Sequence, residues 1–134
     1  MKSYIKRLEE YIQSQTQLNH NYVQAAQTLR GDRAKTLLRF SGDIRRNIKR
    51  LQLEYYLLTG DSLIAAADTP KCSFAELLRL LCTAEKECSD AFAAELSLQK
   101  EARVRNIYDK LYRSALHRRS VLITLLGGIT GLGG

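Results

Sequence analysis

The chain has 134 residues and a formal charge of +7, with 45% hydrophobic residues, one Pro, no Trp and three Cys. That length buries a core without metal or disulfide support, and the scarcity of β-branched runs points to helices rather than sheets. No apolar run approaches the roughly 20 residues of a membrane-spanning helix, which excludes a helical integral membrane protein. Cys72, Cys82 and Cys88 form no Cys-x-x-Cys pair, and the N-terminal stretch alternates apolar and charged residues without a leader pattern. Free thiols in a reducing cytoplasm are expected.

The first amphipathic helix is expected over 3–29, with Ile5, Leu8, Ile12, Leu18, Tyr22, Ala25, Ala26 and Leu29 inward and Gln15 on the same stripe. Gly31 and Asp32 read as a turn and an N-cap. A second, antiparallel helix then runs over 33–58, with Leu37, Phe40, Ile44, Ile48, Leu51, Tyr55 and Leu58 inward and Asn47 beside them. Positions 61–71, which hold the only proline, are longer than neighbouring helices need. They are expected to cross the length of a bundle.

Ser73 caps the third helix, with Glu76 three residues on completing a capping box. Over 77–98 this helix presents Leu78, Leu81, Cys88, Phe92 and Leu96 on one face, and Glu85 stands in the middle of it. A carboxylate there needs a proton, a hydrogen-bond donor, a cation or a metal, since an unpaired buried charge costs several kcal/mol. A break over 97–101 contains neither Gly nor Pro. The fourth helix is expected over 102–126, with Val104, Ile107, Leu111, Val121 and Leu125 inward and His117 at the edge of that face. The bundle domain is therefore 1–126. Positions 127–134 carry five glycines and read as a flexible tail, whose Ile129 and Leu132 suit a docking peptide for a protein partner.

Shifted by 70 residues, the chain meets itself at Tyr22 and Phe92, Leu37 and Ile107, and Leu51 and Val121. The same shift pairs Gln15 with Glu85 and Asn47 with His117. The buried-face polar residues become one layer, contributed once by each helix of two related hairpins.

Two hairpins, a long crossover and a polar layer resemble the ferritin-like superfamily, above all its rubrerythrin-type members. The run Leu80-Leu81-Cys82-Thr83-Ala84-Glu85-Lys86-Glu87 is similar to that family's third helix, and 41–60 to its second. The resemblance implies an all-α antiparallel four-helix bundle that pairs as a homodimer. It also implies a di-metal centre in which each hairpin supplies a Glu and a Glu-x-x-His. Carried over, those positions fall on Gln15, on Ile44 and Asn47, on Glu85, and on Ser114 and His117. Only Glu85 and His117 match, and one carboxylate with one imidazole cannot balance two divalent ions.

The expected function is therefore a non-catalytic binding or structural protein with no cofactor, its polar layer satisfied by mutual hydrogen bonds among Gln15, Asn47, Glu85 and His117. A second reading places a single divalent ion (Fe, Mn or Zn) on Glu85 and His117, with Gln15, Asn47 or water completing the shell. A third rests on the basic residues crowding the second helix, Arg30, Arg33, Lys35, Arg39, Arg45, Arg46, Lys49 and Arg50, with Arg113, Arg118 and Arg119 on the fourth; they read as the solvated faces of amphipathic helices and suit an anion or nucleic acid if they form one stripe. Tyr4, Tyr11, Tyr56 and Tyr112 are candidates for the homodimer contact. Cys82 and Cys88 lie about 9 Å apart along the helix axis, too far for a disulfide.

Overall fold

The computed structural model describes residues 2–130, and they are all-α. Four helices, α1 (Tyr4–Thr28), α2 (Gly31–Thr59), α3 (Phe74–Leu98) and α4 (Ala102–Thr130), pair as the hairpins α1–α2 and α3–α4. No described helix is long and apolar enough to cross a membrane. The chain divides into two compact units, Met1–Lys71 and Cys72–Gly134, each holding one hairpin.

Ser3 caps α1 by accepting from the amide of Lys6, and Ser73 caps α3 by accepting from that of Glu76. These bonds satisfy amides that have no partner inside the helix. Asp32 is not the cap of α2. The cap position is Arg30, which makes no side-chain cap bond, and Asp32 stands in the first turn, where its charge still complements the helix dipole. Gly31, at φ +63°, is the turn itself, and Gly60, at φ +78°, ends α2 by donating to the Tyr56 carbonyl. Both are conformations that cost little only for glycine.

In the first hairpin Leu8, Ile12, Leu18, Tyr22, Leu37, Phe40, Ile44 and Leu51 are buried, with the Tyr22 and Phe40 rings edge to face at 5.8 Å. Ile5 and Leu58, expected inward, are exposed at the hairpin's open end, where no further helical turn covers them. The second hairpin buries Leu78, Leu81, Cys88 and Phe92 from α3 and Val104, Tyr108, Leu111, Ala115 and Leu122 from α4. On α4 Val104 and Leu111 are buried as expected, but the positions between and after them shift by one residue. Tyr108 and Leu122 are buried, while Ile107 and Val121 are only half-buried. Helix α4 also continues past position 126, through Gly127 and Gly128 to Thr130. Extending an existing helix gains a hydrogen bond per residue fixed, which offsets a glycine cost of about 1 kcal/mol each. The remaining tail positions, 131–134, lie outside the described residues.

The crossover is fastened to its own hairpin by side-chain amides. Gln52 donates to the Leu63 carbonyl near the end of α2, and Gln13 to that of Ala66. Gln17 both donates to the Asp68 carbonyl and accepts from the Asp68 amide, as a neighbouring β-strand would. His20 meets the Thr69 hydroxyl at 2.8 Å, and Gln24 reaches the Pro70 carbonyl. The link thus runs the length of the hairpin, ascending α1 from Gln13 to Gln24 over about 16 Å.

Candidate functional site

The two hairpins are copies in helix length as well as in pattern. α1 and α3 each have 25 residues, and α2 and α4 each have 29. Between α1 and α2 the break is 29–30, whereas between α3 and α4 it is 99–101. One extra residue in the second turn makes the offset 70 for the first helices and 71 for the second. On that register Leu37, Phe40, Ile44, Asn47 and Leu51 correspond to Tyr108, Leu111, Ala115, Arg118 and Leu122, and all ten are buried. The counterpart of Asn47 is Arg118, not His117.

Arg118 is the residue that meets Glu85. Its Nε donates to Oε2 at 2.5 Å and its Nη2 to Oε1 at 3.0 Å, with side-chain exposures of 1% and 0%. Helix α3 aims the carboxylate inward because Glu85 sits between Leu81 and Cys88 on its apolar stripe; α4 does the same for Arg118, three residues after Ala115 and four before Leu122. A two-pronged guanidinium–carboxylate bond satisfies both oxygens and balances the charge at a buried position. His117 lies on the exposed side of α4, about 100° around the axis from Arg118. The structure therefore does not bring together the Glu85 and His117 side chains expected as a pair.

The first hairpin holds Gln15 and Asn47, both buried. Arg50 Nη1 donates to Asn47 Oδ1 at 2.8 Å, while Asn47 Nδ2 finds no protein acceptor. Asp43, the neighbour of Ile44, pairs at the surface with Arg46. On this register the positions to which the ferritin-like resemblance would assign Glu-x-x-His are Ile44 and Asn47 in one hairpin and Ala115 and Arg118 in the other, in place of Ser114 and His117. Neither hairpin offers the carboxylate or imidazole needed there. Among the described residues no three His, Cys, Asp or Glu side chains converge as a metal site. A metal cation at Glu85 would face a guanidinium already bound to both oxygens, so these residues do not fit a resident di-metal centre.

Two further buried carboxylates are missing from the sequence reading. Glu54 accepts from the Tyr4 hydroxyl at 2.9 Å, and Glu95 accepts from Gln99 Nε2 at 2.7 Å. Their spacing carried the signal: Glu54 falls three residues after Leu51, and Glu95 three after Phe92, on stripes that are otherwise apolar. The chain was compared with known protein families, curated proteins and solved structures. None matches it.

Two ionisable side chains near these elements are shifted. Tyr55 donates to Glu9 at 3.1 Å, and this bond to a carboxylate, with a smaller contribution from burial, holds the phenol above its usual range. Burial raises the Cys82 thiol, partly opposed by the Arg119 charge. Neither the raised thiol nor the closed Glu85–Arg118 pair is an activated nucleophile or a free base.

Proposed function

We propose that the chain is a ferritin-like helical scaffold whose inherited metal position has been taken over by a guanidinium, and that it works as a non-catalytic binding or structural protein. The observation that carries this reading is the Arg118–Glu85 pair. A permanent cation donates to both oxygens of the one carboxylate that survives from the family pattern. Matching helix lengths in the two hairpins and the crossover running the length of the first support the ferritin-like assignment. An arginine cannot change oxidation state and cannot bind dioxygen or peroxide as iron does. The scaffold then keeps its polar position for fold specificity while losing its redox chemistry.

The test is elemental analysis of protein purified without chelator and then equilibrated with Fe(II), Mn(II) or Zn(II). The expected result is substoichiometric metal in every case, unchanged by Glu85→Gln or His117→Ala. About one ion per chain, lost in either variant, would overturn the proposal and restore a reduced metal site on Glu85 and His117.

A further inference from the structure

Helix α2 carries a continuous cationic strip that the Glu85–Arg118 site does not use. Between positions 30 and 50 there are eight Lys and Arg against two Asp. Lys35, Arg39, Arg46 and Lys49 are all exposed and follow one another by four, seven and three residues. At 100° per residue they fall within a sector of about 80° and extend over about 21 Å of helix. Exposed Arg45 and half-buried Arg50 flank the strip. The strip has two local counter-charges, Asp43 paired with Arg46 and exposed Asp32 one turn before Lys35.

Gly42 sits at the middle of the strip. The Nη2 of Arg45 and the Nη1 of Arg46 both lie within 4 Å of the point where a Cβ on Gly42 would stand, at 3.8 and 3.9 Å. Two guanidinium groups therefore converge over a residue with no side chain, one turn from Arg39. Such a fork suits a tetrahedral oxyanion that bonds to several N–H groups at once.

We infer that the exposed face of α2 from Lys35 to Lys49 docks the phosphate backbone of a nucleic-acid duplex without reading its sequence. The composition separates this occupant from others. Protein interfaces have apolar, aromatic-rich centres depleted in lysine, whereas here a single exposed apolar side chain, Leu38, stands at the edge of the strip between Lys35 and Lys49 and no aromatic is exposed there. Single strands are held by stacking on exposed aromatics, and the aromatic of this stretch, Phe40, is buried. A membrane-surface helix needs a long apolar face beside its cations, whereas Leu53, Tyr56 and Leu57 come only after the strip has ended. A duplex carries about one phosphate per 1.7 Å of axis with both strands counted, so a length of about 21 Å holds roughly a dozen, of which those on the near side are within reach of the four cations. This inference is independent of the Glu85–Arg118 reading, since it uses other residues on the other hairpin.

The experiment is fluorescence anisotropy with a labelled duplex of random sequence and about 24 base pairs, titrated with the full chain at several salt concentrations. Four phosphate contacts predict affinity falling roughly 100-fold between about 50 and 200 mM salt. The double variant Arg39→Glu/Lys49→Glu is expected to bind at least about tenfold more weakly at low salt, with helicity by circular dichroism unchanged. Lys100→Glu/Lys110→Glu makes the same change in net charge on the second hairpin and is expected to stay within about threefold of the parent chain. No binding at 50 mM salt, or equal losses in both double variants, would overturn the inference. Tighter binding of the single strand, or competition by poly-glutamate as effective as unlabelled duplex, would assign the strip to another partner and overturn it as well.

Discussion

Arg118 and Asn47 hold the same place in successive hairpins: each is buried, three residues after a buried aliphatic side chain, Ala115 or Ile44, and four before a buried leucine, Leu122 or Leu51. What differs is the partner: Arg118 donates to both oxygens of Glu85, whereas Asn47 Oδ1 accepts from Arg50 of its own helix, and Gln15, the sequence counterpart of Glu85, is buried. Changing one member of the Arg118–Glu85 pair alone would leave a buried charge uncompensated, which is the costly outcome in a protein interior.

The crossover gives a local prediction. Gln17→Ala removes both bonds to the backbone of Asp68 and the bond from Gln17 to Asn21. Neutral hydrogen bonds contribute about 1 kcal/mol each, so a loss of about 1–3 kcal/mol is expected in urea denaturation. Hydrogen exchange should locate the effect, with the Asp68 amide losing protection while the amides in the middle of α1 keep theirs.

Tyr4→Phe tests the buried Glu54. Its carboxylate is 1% exposed and accepts from the Tyr4 hydroxyl. Removing a donor to a buried charge is expected to destabilise the chain by about 1.5–3 kcal/mol. An effect below about 0.5 kcal/mol in chemical denaturation, the usual range of a surface substitution, would show that Glu54 does not depend on this bond.

For Tyr55 the pH dependence has a definite sign. Its folded pKa is raised, chiefly by the bond to Glu9, so the protonated phenol is the form that folding favours. Its contribution is complete below the ordinary tyrosine value of about 10 and is lost as the pH rises beyond it. Phenolate absorbance, compared between the parent chain and Tyr55→Phe, should show this residue ionising late. Glu9→Gln should bring its midpoint down.

The cysteines should label in order of exposure and thiolate content. Cys72 is exposed, Cys82 half-buried with its thiol raised by burial, and Cys88 buried. Iodoacetamide at about pH 8 is expected to modify Cys72 first and Cys82 much more slowly, because the thiolate is the reacting form. The Cys82 rate should then climb as the pH is raised. Mass mapping of the alkylated peptides that found Cys82 ahead of Cys72 would contradict the assignment.

The helices, the Ser73–Glu76 cap, the crossover and the buried placement of Glu85 were all legible, because each leaves a local trace in spacing or in a turn residue. Arg118 was not, for a specific reason. The turn at 99–101 has neither Gly nor Pro to mark its length, so a constant offset of 70 pairs Asn47 with His117 rather than with Arg118. One residue of error turns a helix by about 100°, and the apolar spacing on α4 likewise favours Ile107 and Val121 over Tyr108 and Leu122. The stripe of Leu111, Ala115, Arg118 and Leu122 was readable in the sequence, but a guanidinium on it looks like a surface residue until its carboxylate is known. The glutamines of α1 were invisible as a set for a different reason: they lie on a polar face, and acquire a role only once the crossover is placed beside them.

The most direct test of the central claim is a double-mutant cycle on Glu85→Gln and Arg118→Met, read by chemical denaturation. Each single change leaves a buried charge without its partner and is expected to cost about 3–5 kcal/mol, whereas the double variant removes both charges and should cost well under the sum. A coupling of about 2 kcal/mol or more would establish the guanidinium as the working counter-charge of Glu85. Costs that add to within about 0.5 kcal/mol would contradict it and return Glu85 to the search for another cation.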